Sequence, residues 1–179
     1  MAYHVMDLEF THASHLIEIG VVSLGDSIQT FFHTLVKPAK EVDSHVTKLT
    51  GITQGMLEDS PTEREALLQL IASFRDVQHP HIIVWGTDEK IIKKAARRHG
   101  LEPDLDRFHF FDLKDVLSTL RFFFPHILTT TRNSLHEVAT NMGCIDKEQP
   151  QTHRALDDAF EAALIVQKLK GLLQPEVCF

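Results

Sequence analysis

The sequence predicts an α/β fold, a mixed sheet covered by helices on its faces. Three observations carry this. The first third of the chain is rich in β-branched and aromatic residues broken by short turn-prone links, the pattern of an antiparallel meander. The remainder alternates short apolar runs with segments of helical periodicity, as strand-then-helix units do. Capping signals stand where those helical segments begin. At 179 residues, with 43% hydrophobic and 24% charged content, the chain suffices for one domain over residues 1–179 and leaves little room for a second.

The elements follow in order. Residues 3–10, 16–23 and 29–36 read as strands, linked by residues 11–14 and by Gly25, Asp26 and Ser27, and Pro38 closes the meander. Residues 46–52 suggest a short helix or turn. Ser60 as N-cap, Pro61 at the first helical position and Glu63 completing a capping box predict a helix running to about Asp76. Residues 81–85 form a short apolar strand, and residues 88–99 a helix that Gly100 stops. Residues 108–111 read as a buried strand, followed by a helix over 113–121 and an irregular stretch through Pro125 and Thr129 to Thr131. Ser134 and Glu137 make a second capping box, opening a helix that Gly143 ends. The last helix opens after Thr152 and runs to about Leu173.

Composition narrows the function classes. Eighteen basic against twenty-five acidic residues give a net charge of −7, which argues against a broad polybasic surface for long duplexes. Two cysteines, Cys144 and Cys178, make no disulfide framework, and the start of the chain lacks a secretory layout, so a cytoplasmic location is expected. No apolar run reaches the roughly 18 residues of a membrane span.

Asp7 and Glu9 lie two apart on the first strand, so a period of two puts both carboxylates on one face while Met6, Leu8 and Phe10 take the other. On the last helix, at 100° per residue, Ala155, Ala159, Ala162, Ala163, Val166, Leu169 and Leu173 form one stripe. Asp158 lies on its flank and Asp157 roughly opposite, a plain surface acid. His153 falls just before or at that helix's start. Asp88 follows the apolar strand through Gly86 and Thr87, at the carboxyl end of a strand where open α/β sheets build their sites. Each acid also has an ordinary reading: a solvated strand face, or first-turn residues that complement a helix dipole. Together, four carboxylates and a histidine are the inventory for holding two divalent cations while the histidine takes a proton from water. Hard oxygen ligands suit Mg2+ or Mn2+, and no zinc motif is present. With twelve histidines in the chain, the His79-Pro80-His81 pair reads as a loop.

These motifs resemble the DEDDh exonucleases, the histidine-bearing branch of the ribonuclease H-like 3′-5′ exonucleases. Met6-Asp7-Leu8-Glu9-Phe10-Thr11 resembles the first motif, and the segment Leu16-Ile17-Glu18-Ile19-Gly20-Val21-Val22 the strand after it. Residues 32–38 and 46–53 are similar to the linking segment, Ile83-Val84-Trp85-Gly86-Thr87-Asp88 to the second motif, and His153-Arg154-Ala155-Leu156-Asp157-Asp158-Ala159 to the third. The resemblance implies a ribonuclease H-like sheet, antiparallel in its first three strands and then parallel. It implies that Asp7, Glu9, Asp88 and Asp158 bind two metal ions and that His153 is the general base. The implied reaction is metal-dependent hydrolysis of terminal phosphodiesters at a single-stranded or frayed 3′ end of RNA or DNA, releasing nucleoside monophosphates.

Three departures stand out. Phe10 occupies a place where many relatives carry threonine, and the net charge is acidic. The second motif reads Trp-Gly-Thr-Asp-Glu, which leaves Glu89 as an alternative acid; Ile91 and Ile92 favour Asp88. Lys90, Lys93, Lys94 and Arg97 share one helix face, read as solvated. At least two of Phe122, Phe123 and Phe124 are expected to be buried, and Arg121 and Arg132 bracket the irregular stretch. The rival class is a catalytically weak regulatory or protein-binding module on the same fold, docking to a protein partner.

Overall fold

The computed structural model describes residues 3–123, 125 and 134–173. Strands β1 (Tyr3–Phe10), β2 (Leu16–Leu24) and β3 (Ile28–Leu35) form the meander. After it come α1 (Ser44–Thr50), a 3-10 turn (Gln54–Leu57) and α2 (Glu63–Ser73). Then follow β4 (His81–Val84), α3 (Asp88–Arg98), the short α4 (Glu102–Leu105), β5 (His109–Asp112), α5 (Leu113–Phe123), α6 (Leu135–Asn141) and α7 (Ala155–Leu173). The sheet order is β3-β2-β1-β4-β5. β1 pairs antiparallel with β2 and parallel with β4, and β4 pairs parallel with β5. The mixed sheet is therefore as expected, with β1 at its centre.

The alternation along β1 sorts residues between two cores. Met6 and Leu8 join Leu16, Ile19 and Val21 in one core, against Leu67 and Leu70 of α2 and Ile92 and Ala96 of α3. Val5 and Val22 face the other, with Leu117 of α5, Val138 of α6 and Ala159, Ala163 and Ile165 of α7. A strand covered on both faces buries Asp7 and leaves only Glu9, near its carboxyl end, half-exposed, which sets the electrostatic problem of the site.

Several local expectations change. The first capping box is built two residues later, by Thr62 and Glu65, each accepting from the other's backbone N–H. Pro61 accepts from the Lys37 backbone N–H at 2.8 Å, and Lys37 bridges Thr62 as in a parallel strand. This holds the chain extended past Ser60 and turns Glu63 inward. The helix ends at Ser73 rather than near Asp76, with buried Phe74 as its C-cap. Phe122 and Phe123 are 84% and 66% exposed, so the expectation that two of the three phenylalanines are buried fails. Leu113, Leu117 and Leu120 define the inward face of α5, and Phe122 falls opposite it at 100° per residue. The second capping box, at Ser134 and Glu137, forms as expected. Phe124, Thr129 to Thr131, Arg132 and Cys178 lie outside the described residues. Among the described residues no helix is long and apolar enough to cross a membrane.

Candidate active site

The site forms where the carboxyl ends of β1 and β4 meet the first turn of α7. In the β1–β2 register Val5 stands opposite Val22, Asp7 opposite Gly20 and Glu9 opposite Glu18. All six share the face toward α7. Gly20 is what lets the helix come down there: a Cβ at this position would lie 2.5 Å from the Ala155 carbonyl carbon and the Leu156 nitrogen. The α7 backbone therefore rests directly on the sheet beside Asp7.

Asp158, in the first turn of α7, then meets β1. One carboxylate oxygen from each of Asp7, Glu9 and Asp158 lies within 4.8 Å of the other two. Asp88 comes from the start of α3, after the turn at Gly86, whose φ is +67° and whose N–H donates to Asp112 at 3.0 Å. Its side chain takes a hydrogen bond from the Leu8 backbone and touches the Asp7 carboxyl. Thr87 makes no side-chain cap for α3. Glu89, the alternative acid, instead pairs with Lys93 at 2.6 Å on the outer face.

Burial first, and then neighbouring like charges, set the electrostatics. Burial, then Asp88, Asp158 and Glu9, hold Asp7 well above the usual carboxylate range. Asp88 is raised likewise by burial and by Asp112, against the Leu8 hydrogen bond. Burial followed by Asp158 and Glu18 pushes Glu9 up to about 8, and burial followed by Glu161 and Asp157 pushes Asp158 up to about 7. Asp88 Oδ2 and Asp158 Oδ1 are buried with no hydrogen-bond partner. Native proteins rarely leave such atoms orphaned without a role. Buried acids that would rather be protonated, with orphaned oxygens among them, fit a divalent cation with oxygen ligands, which removes both penalties.

His153 precedes α7 with φ of +50°, a left-handed conformation that a non-glycine residue adopts only when its surroundings impose it. It is half-buried, and burial followed by His136 holds it below the usual histidine value, against Glu161. A neutral imidazole at pH 7 can accept a proton. His136 itself lies between the Glu161 carboxylate at 2.9 Å and the Gln149 carbonyl at 3.0 Å. Asp157 turns away, accepting from the Thr152 hydroxyl at 2.8 Å, as the helical projection predicts. The solvated face of α3 is also as expected: Lys93 pairs with Glu89 and Arg97 with Glu102.

Sequence reasoning missed a fifth acid. Glu18 is fully buried and takes hydrogen bonds from Arg154, His33 and the Ala155 N–H. The available signal was a lone acid inside the apolar run from Leu16 to Val22.

A mixed sheet with acids converging at the carboxyl end of its central strand, under the first turn of the last helix, defines a ribonuclease H-like nuclease domain. A family profile described as Exonuclease matches residues 4–166, and the chain belongs to that family. The chain is 32% identical over 171 residues to the DNA polymerase III subunit epsilon of Aquifex aeolicus, covering 92% of this chain and 78% of that one. It is 31% identical over 187 residues to the PolC-type DNA polymerase III of Caldanaerobacter subterraneus subsp. tengcongensis, covering 95% of this chain but only 12% of that polymerase. Among solved structures, E. coli Exonuclease I in complex with a dT13 oligonucleotide shares the fold, with a TM-score of 0.77 and 17% identity over 98% of this chain and 42% of that one.

Proposed function

We propose that the chain is one metal-dependent 3′-5′ exonuclease domain of the DEDDh type, removing nucleoside monophosphates from single-stranded or frayed ends of RNA or DNA in the cytoplasm. The observation that carries this is the convergence of Asp7, Glu9, Asp88 and Asp158, two of them with orphaned buried oxygens. In this reading the four carboxylates hold two divalent cations, Mg2+ or Mn2+. Bound there, such cations supply Lewis-acid activation of water and neutralisation of phosphate charge.

The chain's own residues do the rest. The four acids fix where a phosphodiester can approach, because without a cation their charge repels it. His153, half-buried and neutral near pH 7, accepts the proton that the attacking water gives up. His136 and Glu161 are near enough to His153 to act on its proton affinity, in opposite directions. Similarity to a structure solved with dT13, and to a polymerase epsilon subunit, supports a single-stranded nucleic-acid substrate. The regulatory-module alternative is disfavoured, because a site no longer used has no reason to keep four acids converged at an electrostatic cost.

The test is degradation of a 5′-labelled single-stranded RNA and its DNA counterpart with Mg2+, Mn2+ or chelator. The expected result is a metal-dependent ladder shortening from the 3′ end, slowed about 100-fold or more but still measurable in His153→Ala. Absence of cleavage by folded protein with either metal would overturn the proposal.

A further inference from the structure

We infer that Glu18 is a positioning residue for His153: with Gly20 it forms a seat on β2 that clamps the backbone at residues 154–156 and so fixes where His153, the residue just before them, stands relative to β1. The inference rests on the nuclease reading above. Glu18 faces the same side of the sheet as Asp7 and Glu9 and stands directly opposite Glu9, yet its oxygens are not available to the cluster. Oε1 accepts from Arg154 Nη2 at 2.6 Å and contacts His33 Nε2 at 2.8 Å. Oε2 accepts from Arg154 Nε at 3.0 Å and from the Ala155 N–H at 2.9 Å. One side chain on β2 thus grips both the side chain of residue 154 and the backbone of residue 155.

Stability is a weak reason for such an arrangement, since well-packed apolar residues often serve as well as a buried ion pair. Location is a better one. Arg154 presents a planar fork, which defines direction as well as distance. Gly20 adds a second fixed point, because its lack of a Cβ lets the Ala155–Leu156 peptide rest on the strand. The two contacts lie immediately after the one described non-glycine residue near α7 with a left-handed φ, His153. Asp158 has a further source of placement in the packing of Ala159, Ala162, Ala163 and Ile165 below it. His153 lies outside the helix, so the clamp is its nearest anchor.

The test compares wild type with Glu18→Gln, which keeps the shape but loses the charge and one accepting oxygen. Arg154→Lys, which keeps the cation and loses the fork, serves as the second variant if Glu18→Gln does not fold. The expected result is a kcat on the labelled oligonucleotide lowered about 10- to 100-fold, as for a catalytic group misplaced by about 1 Å, with KM within threefold. Binding of Mn2+ alone, followed by its paramagnetic resonance signal, stays within threefold. In a His153→Ala background the same substitution lowers kcat less than threefold further, an epistasis that general loosening of the fold would not produce. A Glu18→Gln enzyme within threefold of wild-type kcat, or one losing as much again without His153, overturns the inference. If wild type cleaves nothing, the nuclease reading fails, and hydrogen exchange over residues 153–156 decides the clamp: faster exchange in Glu18→Gln upholds it and unchanged exchange overturns it.

Discussion

Replacing Gly20 with alanine adds one methyl group at the point where α7 touches the sheet. That methyl would start 2.5 Å from the Ala155 carbonyl carbon and Leu156 nitrogen, and 2.6 Å from the Ala155 oxygen. Carbon atoms pack at about 3.5–4.0 Å, so the first turn of α7 must lift by about 1 Å or β2 must sink by as much. The obstructing atoms are backbone, so no side-chain rotation relieves the clash. Overpacking of this kind costs about 1–3 kcal/mol, which for a chain of this size lowers the melting temperature by roughly 2–4 °C per kcal/mol. Activity is expected to fall further than stability, because His153 and Asp158 ride on the displaced turn, and about 1 Å of misplacement is worth roughly 100-fold in rate. The assays are thermal melting in chelator and the initial rate of 3′-end removal. Gly55→Ala is the control, since nothing lies within 4 Å of its added Cβ. A Gly20→Ala protein with wild-type melting and kcat would refute the close-approach reasoning.

Other consequences can be measured in parallel. In metal-free protein Glu9 sits at about 8 and Asp158 at about 7, both above their unfolded values; the folded state therefore holds more protons than the unfolded one, and stability declines as pH rises from 6.5 to 8. Melting curves in chelator should show that decline, and added Mn2+ should raise the midpoint more at pH 8 than at pH 6.5; a flat or rising metal-free profile would count against the clustered acids. Asp88→Asn is expected to lower kcat at least about 100-fold, whereas Glu89→Gln, which loses only an outer pair with Lys93, should leave it within threefold; equal losses would mean that the second motif has been assigned to the wrong acid. Glu63→Leu strips acceptors from Arg98, His99 and the Leu16 N–H and should cost about 3–5 kcal/mol in urea unfolding, with kcat per folded molecule unchanged.

Much of this was legible because it depends on short-range periodicity. Alternation along β1 separates Asp7 and Glu9 from Met6 and Leu8, and that division is the one between the two faces of the sheet. The helical projection of residues 155–173 likewise separates Asp158, which is buried, from Asp157, which bonds Thr152. What misled was information carried by distant partners. The start of α2 shifted because Lys37, two dozen residues earlier, draws Pro61 and Thr62 into an extended bridge. Glu18 was invisible as a site residue because its partner Arg154 lies 136 residues away, and nothing in the apolar text around it shows that a cation will arrive.

Glu9 and Glu18 make the physical distinction plain. They are the same residue type, on adjacent strands, opposite one another and facing the same helix. Burial alone would push both up. At Glu18 the hydrogen bonds from Arg154, His33 and Ala155 outweigh burial and hold the carboxyl below its usual value, so its charge is already satisfied by the protein. At Glu9 the neighbours within reach are chiefly Asp158, Glu18 and Asp88, with Arg154 only a partial offset, so its charge is left unsatisfied by the protein, as the proposed metal ligand requires. The fold thus directs Arg154 to the carboxylate that grips the backbone, leaving unsatisfied the acids that the proposed function assigns to metal ions. Had Arg154 turned toward Glu9, Glu18 would be a buried acid left with only His33 and the Ala155 N–H to hold its charge. The choice of which glutamate receives the guanidinium separates scaffold from site.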